Sequence, residues 1–151
     1  MADGETRRWL PPDIGEEILR DSAERYWRQC HPSFVQDGVP TSQLFVESSG
    51  DEGKISGSRE TKASAEAAFK FRTEIAGSPS AGSWAVTVKE AWEAGVRIVD
   101  DSVSANGPLP PVPPGHSYLD YRQVGKSASK RISRALVIKA RARGRQYPPE
   151  E

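Results

Sequence analysis

The sequence predicts an α+β fold: one small domain around a mixed or mainly antiparallel sheet, with an N-terminal helix and a basic C-terminal helix. Three observations carry this expectation. The chain has 151 residues, enough for one core and too few for two comfortable ones. Its 4 Trp, 4 Tyr and 4 Phe supply that core and exclude full disorder, although only 36% of residues are apolar. Finally, segments of helical and strand-like period follow one another in the order α-β-β-α-β-α-β-β-α.

Residues 1–11 read as a flexible arm, 12–145 as the domain and 146–151 as a flexible tail. The first element is an expected helix from Asp13 to about Gln29. Asp13 and Glu16 suit a capping box, and Ile14, Ile18, Leu19, Ala23, Tyr26 and Trp27 recur at helical spacing. Pro32 ends it, because the residue before a proline is pushed out of the α region. Ser42 to Ser48 is an expected strand with Leu44 and Val46 on one face. The turn residues Ser49 to Gly53 and a return strand Lys54 to Arg59 complete an expected hairpin.

Thr61 to Ala76 is Ala-rich, and Gly77 stands where a residue terminating a helix belongs. The β-branched run Trp84 to Val88 predicts a strand, Lys89 to Ala94 a short helix closed by Gly95, and Val96 to Val99 another strand. Five prolines between Pro108 and Pro114 force a polyproline II stretch that cannot join a ladder. His116 to Arg122 resumes an extended pattern, and Lys126 to Arg143 is the last helix. The core is expected to gather Trp84, Val86, Val88, Leu136, Phe69 and Trp27.

Charge and cysteine content narrow the function classes. One Cys excludes an intramolecular disulfide framework and a Cys-rich zinc module, and no apolar run approaches a bilayer span. With no signal-peptide pattern at the start, the expectation is a cytoplasmic protein. The formal charge is zero but uneven: residues 1–120 carry 12 basic and 19 acidic side chains, and residues 121–151 carry 9 and 2. A basic end of this kind folds onto the acidic body or meets an acidic partner.

That end supplies the first candidate site. On a helical wheel Ala128, Ile132, Ala135, Leu136 and Ala142 share one face, while Lys126, Lys130, Arg134, Arg141 and Arg145 share the opposite one. This basic stripe suits phosphates, an acidic protein or the chain's own acidic body. The second candidate centres on His116, for which Asp100 and Asp101 are the carboxylates the fold can deliver; Asp120, four residues along the same strand, lies too far away. The plainer expectation is a loop histidine bonded to backbone around the prolines. Cys30, beside Trp27, reads as a small buried hydrophobe, and not as the partner of His31, since adjacent side chains diverge.

Two enzyme classes are weighed on residue order alone. Arg28, Ser42 or Ser56, and Glu90 follow the Arg, Ser and late Glu order of small NAD-dependent ADP-ribosyltransferase toxins, which they resemble only in that order. Arg25 to His31 resembles the Arg-spacer-His pattern of a helical ribonuclease family, although Pro32 stops the helix where that family continues it. No metal site or cofactor is expected, because two His and one Cys supply few soft ligands and no carboxylate spacing matches a calcium loop.

More broadly, from about Arg25 to Arg145 the chain resembles small bacterial proteins of similar length that have no assigned activity. The resemblance is carried by Arg28 to Phe34, Thr41 to Phe45, Gly82 to Glu90 and Pro114 to Asp120. It implies a bacterial, cytoplasmic, single-domain protein and no mechanism. The first expectation for function is therefore an accessory or regulatory protein that binds an acidic protein or nucleic acid through its C-terminal helix. The alternative is a toxin- or defence-type enzyme. It would draw His116, Asp100 or Asp101, and one of Ser42, Arg59 or Glu90 into a single pocket.

Overall fold

A computed structural model describes residues 8–47, 52–104 and 111–150. Its centre is a six-stranded antiparallel sheet built from β1 (Glu17–Ile18), β2 (Arg25–Gln29), β5 (Lys54–Arg59), β6 (Ser83–Thr87), β7 (Ile98–Asp100) and β8 (His116–Asp120). The strands run in the order β1-β7-β8-β5-β2-β6, every neighbour antiparallel. A two-stranded ribbon of β3 (Val35–Gln36) and β4 (Val39–Pro40) lies apart from it. The helices are α1 (Ala65–Lys70), α2 (Val88–Ala94) and α3 (Lys126–Arg143). The α+β class, the antiparallel sheet and the C-terminal helix agree with the sequence reading, and no helix among the described residues is long and apolar enough to cross a membrane.

The N-terminal helix expected over residues 13–29 is replaced by strands. Ile14, the first residue of its apolar stripe, is 90% exposed, and Gly15 adopts a φ of 88°. Arg25 to Gln29 instead pairs on both sides, Tyr26 with Val86 and Arg59, Trp27 with Ala85 and Ser58. Two flanking ladders outweigh a helical period that short, and the aromatic pair Tyr26-Trp27 suits a pleated surface. The same placement removes any helical ribonuclease-like presentation of Arg25 to His31.

A second correction concerns Ser42 to Ser48. Ser42–Phe45 forms a 3-10 turn with Leu44 and Phe45 fully buried, and residue 48 lies outside the described residues. Lys54–Arg59 is a strand as expected, but it pairs with β2 and β8 and forms no hairpin with its predecessor. The helix of 61–76 is shorter and compound: α1 is capped by the Ser64 hydroxyl, which accepts from Ala67 N, and passes into a π-turn at Phe71–Ile75. The expected short helix is α2, stabilised by a reciprocal capping box between Thr87 and Glu90 and closed by Gly95 at φ 115°. Of the proline run, residues 108–110 lie outside the described residues, and 111–114 join no strand.

The sheet has two differently covered faces. On one, α3, α2 and the 3-10 turn bury Tyr26, Ile55, Trp84, Val86, Leu119, Tyr121, Ile132 and Leu136. On the other, Trp27 and Ala85 meet α1 through Ala68, with Trp27 Nε1 donating to Ala63 O at 2.8 Å. The expected core is thereby divided: Trp84, Val86, Val88 and Leu136 belong to the first cluster, Trp27 to the second, and Phe69 is half-buried against Tyr147 at 5.4 Å. The alternation along β2 and β6 makes this division unavoidable, because successive side chains point to opposite faces. Val86 is fully buried, and Val86→Ala is expected to cost about 1–3 kcal/mol in a denaturant-unfolding measurement.

Both ends of the chain touch this frame. Trp9 stacks on Trp92 with centroids 6.0 Å apart, and Leu10 O accepts from Arg97 at 2.6 Å. At the far edge, Ser83 N donates to Tyr147 O at 2.7 Å and Gln146 N to Ser83 O at 2.8 Å. Arg143 covers the next exposed carbonyl of β6, donating to Ala85 O at 2.9 Å.

Candidate functional site

The strand register places the candidate residues. Along β8, His116, Tyr118 and Asp120 point to one side of the sheet, and the pairing of His116 with Ser58 and Tyr118 with Ser56 sets those two serines beside them. Trp27 of β2 lies opposite Ser58 on the same side. This is the face that α1 covers only in part. Between the α1 π-turn and the segment Pro111–Pro113 it leaves a cleft of about 220 Å³, floored by Trp27, Gln29, Ser56, Gly57, Ser58 and His116.

His116 is held from behind. Its Nδ1 lies 2.6 Å from the Asp101 carboxylate, and both residues are buried. A buried carboxylate accepts, so Nδ1 carries the proton and Nε2 is the ring nitrogen left for a ligand. The expectation of a loop histidine bonded to backbone is thus corrected. Asp101 reaches it because Asp101 N donates to His116 O at 3.3 Å, continuing the β7–β8 ladder by one residue.

The cleft is positive. Arg72 lines it and no acidic residue does; Arg28 borders it from β2, but its side chain turns with Tyr26 to the opposite face, toward the 3-10 turn. Arg28 is anchored, donating through Nε to Leu44 O at 3.0 Å and through a terminal nitrogen to Ser56 O at 2.7 Å. Arg72 sits on the π-turn, and its buried Nε has no hydrogen-bond partner among the described residues. Burial, together with the nearby Arg28 charge, lowers the Arg72 pKa from its ordinary value.

Asp100 and Arg59, the other candidates near His116, are occupied elsewhere. Arg59 and Glu24 make paired hydrogen bonds at 2.9 and 2.8 Å, and Arg59 reaches Asp100 at 3.0 Å, with Lys62 adding a contact to Asp100 at 2.7 Å. Glu24 also accepts from Thr61 N and Oγ1. Burial pushes both carboxyls upward, but these bonds outweigh it: Glu24 lies below its ordinary value and Asp100 falls to about 2. Such a closed, mutually satisfied cluster is a clamp between β5, β7 and the loop before β2.

The remaining candidates are dispersed. Ser42 opens the 3-10 turn on the other side of the sheet, and Glu90 is committed to the Thr87 cap and to a bidentate pair with Arg143 at 2.9 Å. Arg28 therefore meets Ser56 only at its carbonyl oxygen, and the glutamate of an ADP-ribosyltransferase-like trio does not join them. Asp120 is tied to Arg97 and Arg122. Burial raises the Cys30 thiol to about 11, leaving it protonated and without nucleophilic character at neutral pH. No three His, Cys, Asp or Glu side chains converge on a metal position among the described residues.

Of the five stripe residues on the basic helix, Lys126, Lys130 and Arg134 are exposed at four-residue intervals and have no ion-pair partner among the described residues. Arg141 donates from Nε to Pro40 O at 2.7 Å, and Arg145, beyond the helix end, to Pro148 O at 2.6 Å. Ile132 and Leu136 are buried on the opposite face, as the wheel requires.

Sequence reasoning missed Arg72, Gln29 and Ser58. A period-two reading of Arg25 to Gln29 and of Lys54 to Arg59 sets Trp27 and Gln29, and Ser56 and Ser58, on common faces; nothing in the local sequence marks Arg72. No protein-family model matches this chain, and neither the curated proteins nor the solved structures contain a match to it.

Proposed function

We propose that the cleft on the partly covered face is the functional site and that the chain is a small enzyme using His116 as a general base toward an anionic small molecule. One observation carries this reading: Asp101 fixes the His116 ring so that Nε2 is left for a ligand in a cleft lined by Arg72 and by no acid. A carboxylate behind a histidine selects the tautomer and stabilises the imidazolium that forms on proton abstraction. The Ser56 and Ser58 hydroxyls, with no hydrogen-bond partners among the described residues, are donors available to the same ligand.

The test is depletion of a mixture of anionic metabolites, followed by mass spectrometry. The full chain is expected to consume at least one component, and His116→Gln to reduce that rate by about 100-fold or more, the range of general-base catalysis. An unchanged mixture, or equal consumption by the variant, overturns the catalytic reading.

A second reading rests on a separate observation, the unpaired row Lys126, Lys130 and Arg134. In this reading the helix meets a polyanion such as nucleic acid. Three phosphate contacts give a slope of log K against log salt of about −3 on duplex DNA, and Lys130→Ala with Arg134→Ala reduces it by about 2. Absence of DNA and RNA binding at low salt assigns the row to an acidic protein or to solvent.

A further inference from the structure

We propose that the ligand of this cleft is an aromatic phosphomonoester, its phosphate held by Arg72 with the Ser56 and Ser58 hydroxyls and its ring against Phe71 and the Pro111–Pro113 wall. The inference rests on the cleft being the functional site, and it specifies what that site holds. Three features of the lining support it.

The first is uncompensated charge. The buried Nε of Arg72 has no hydrogen-bond partner among the described residues, and no acidic side chain lines the cleft to offset the guanidinium charge. A buried donor without a partner is costly, and a partly buried cation without an anion adds to that cost. An anionic ligand relieves both. A planar guanidinium also matches a phosphate edge through two parallel N–H bonds.

The second is donor density. The Ser56 and Ser58 hydroxyls line the floor beside the proline wall. A tetrahedral phosphate has several oxygens to accept from donors arriving on different sides, where a flat carboxylate has two. The third is the apolar wall: Phe71, Val112 and Pro113 are half-buried, and Trp27 forms part of the floor. Rings stack on aromatic and proline surfaces and on guanidinium planes. The combination suits one molecule with a dianionic head and a flat apolar body.

The experiment titrates the full chain with phenyl phosphate, inorganic phosphate, benzoate and phenol, read by calorimetry and by the histidine ring resonances. Phenyl phosphate is expected to bind about tenfold or more tighter than benzoate, with inorganic phosphate weaker than phenyl phosphate and phenol not saturating, since each charge-assisted contact contributes on this scale. It should also shift the ring resonances of His116. Arg72→Gln is expected to weaken phenyl phosphate about tenfold, with Arg72→Lys intermediate because it keeps charge and loses the planar fork. Neither variant is expected to lower the melting temperature, because the Arg72 side chain has no protein partner to lose.

Equal binding of benzoate and phenyl phosphate, or unchanged affinity in Arg72→Gln, overturns the proposal. Should none of the four probes bind while His116→Gln still abolishes turnover of another metabolite, the phosphate assignment fails and the cleft remains the site. Should phenyl phosphate bind without shifting His116 and with Arg72→Gln unaffected, the phosphate lies outside the cleft and the proposal fails with it.

Discussion

Arg59→Ala is expected to destabilise the fold by about 3–5 kcal/mol, because it strips the common partner from two buried carboxylates. Glu24 is 3% exposed and Asp100 1%, so neither can recover its solvation by turning outward. Lys62 stays on Asp100 and Thr61 on Glu24, which holds the loss within that range. Chemical denaturation at neutral pH measures it directly. A loss below about 1 kcal/mol, the scale of an exposed pair, would mean that the cluster is solvated.

The same cluster gives the protein a signed acid response. Glu24 and Asp100 lie below their unfolded values of 4.5 and 3.8, Asp100 at about 2. Carboxyls depressed in the folded state bind fewer protons there than in the unfolded chain. Their contribution is therefore complete above about pH 4.5 and is lost as pH falls toward 2. Arg59→Ala raises both folded values and is expected to flatten the dependence of stability on pH across that window. A variant curve parallel to the wild type would assign the acid response to other carboxyls.

Gly57→Ala is the second large effect, at about 3 kcal/mol, the upper end of overpacking costs. A Cβ at this position would lie 2.3 Å from the Tyr26 ring and 2.4 Å from Trp27 O. Neither neighbour can yield cheaply. Tyr26 is fully buried with its hydroxyl donating to Ile55 O at 2.6 Å, and Trp27 O belongs to the central ladder. Thermal unfolding reads the cost. Because Gly57 also floors the cleft between Ser56 and Ser58, the variant that still folds is expected to bind phenyl phosphate less well than wild type.

These residues also show what was legible in the sequence. Lys126 to Arg143 was readable because eighteen residues without Gly or Pro carry a continuous apolar stripe, and its burial at Ile132 and Leu136 follows from that period alone. Trp84 to Val88 and His116 to Arg122 were readable from β-branched content and alternation. Arg25 to Gln29 was misread because five residues satisfy a helical and a strand period equally, and its conformation is decided by β5 and β6, more than 25 residues away. Ser42 to Phe45 failed for a related reason: Leu44 and Phe45 are consecutive and both buried, which a half-buried strand does not permit and a tight turn does.

At the site, the sequence offered Asp100 or Asp101 as the carboxylate that the fold can deliver to His116. Their convergence required the β7–β8 register. Asp100 and Asp101 could not be told apart in sequence, yet the pleat sends one to Arg59 and the other to His116. Arg72 was illegible, since its place at the cleft depends on a π-turn that no short pattern announces.

The strapping of β6 by Gln146, Tyr147 and Arg143 has a colloidal consequence. With a formal charge of zero, copies of this chain meet with little long-range repulsion to hold them apart. Under those conditions an open strand is a template on which a neighbour's backbone can add, and the sheet can grow from chain to chain. Here Ser83 N, Ser83 O and Ala85 O are already taken by Tyr147, Gln146 and Arg143, so an incoming strand finds three of the border's backbone groups occupied. Discipline against aggregation in this protein is thus exercised by hydrogen-bond occupancy at one border, where other proteins rely on charge.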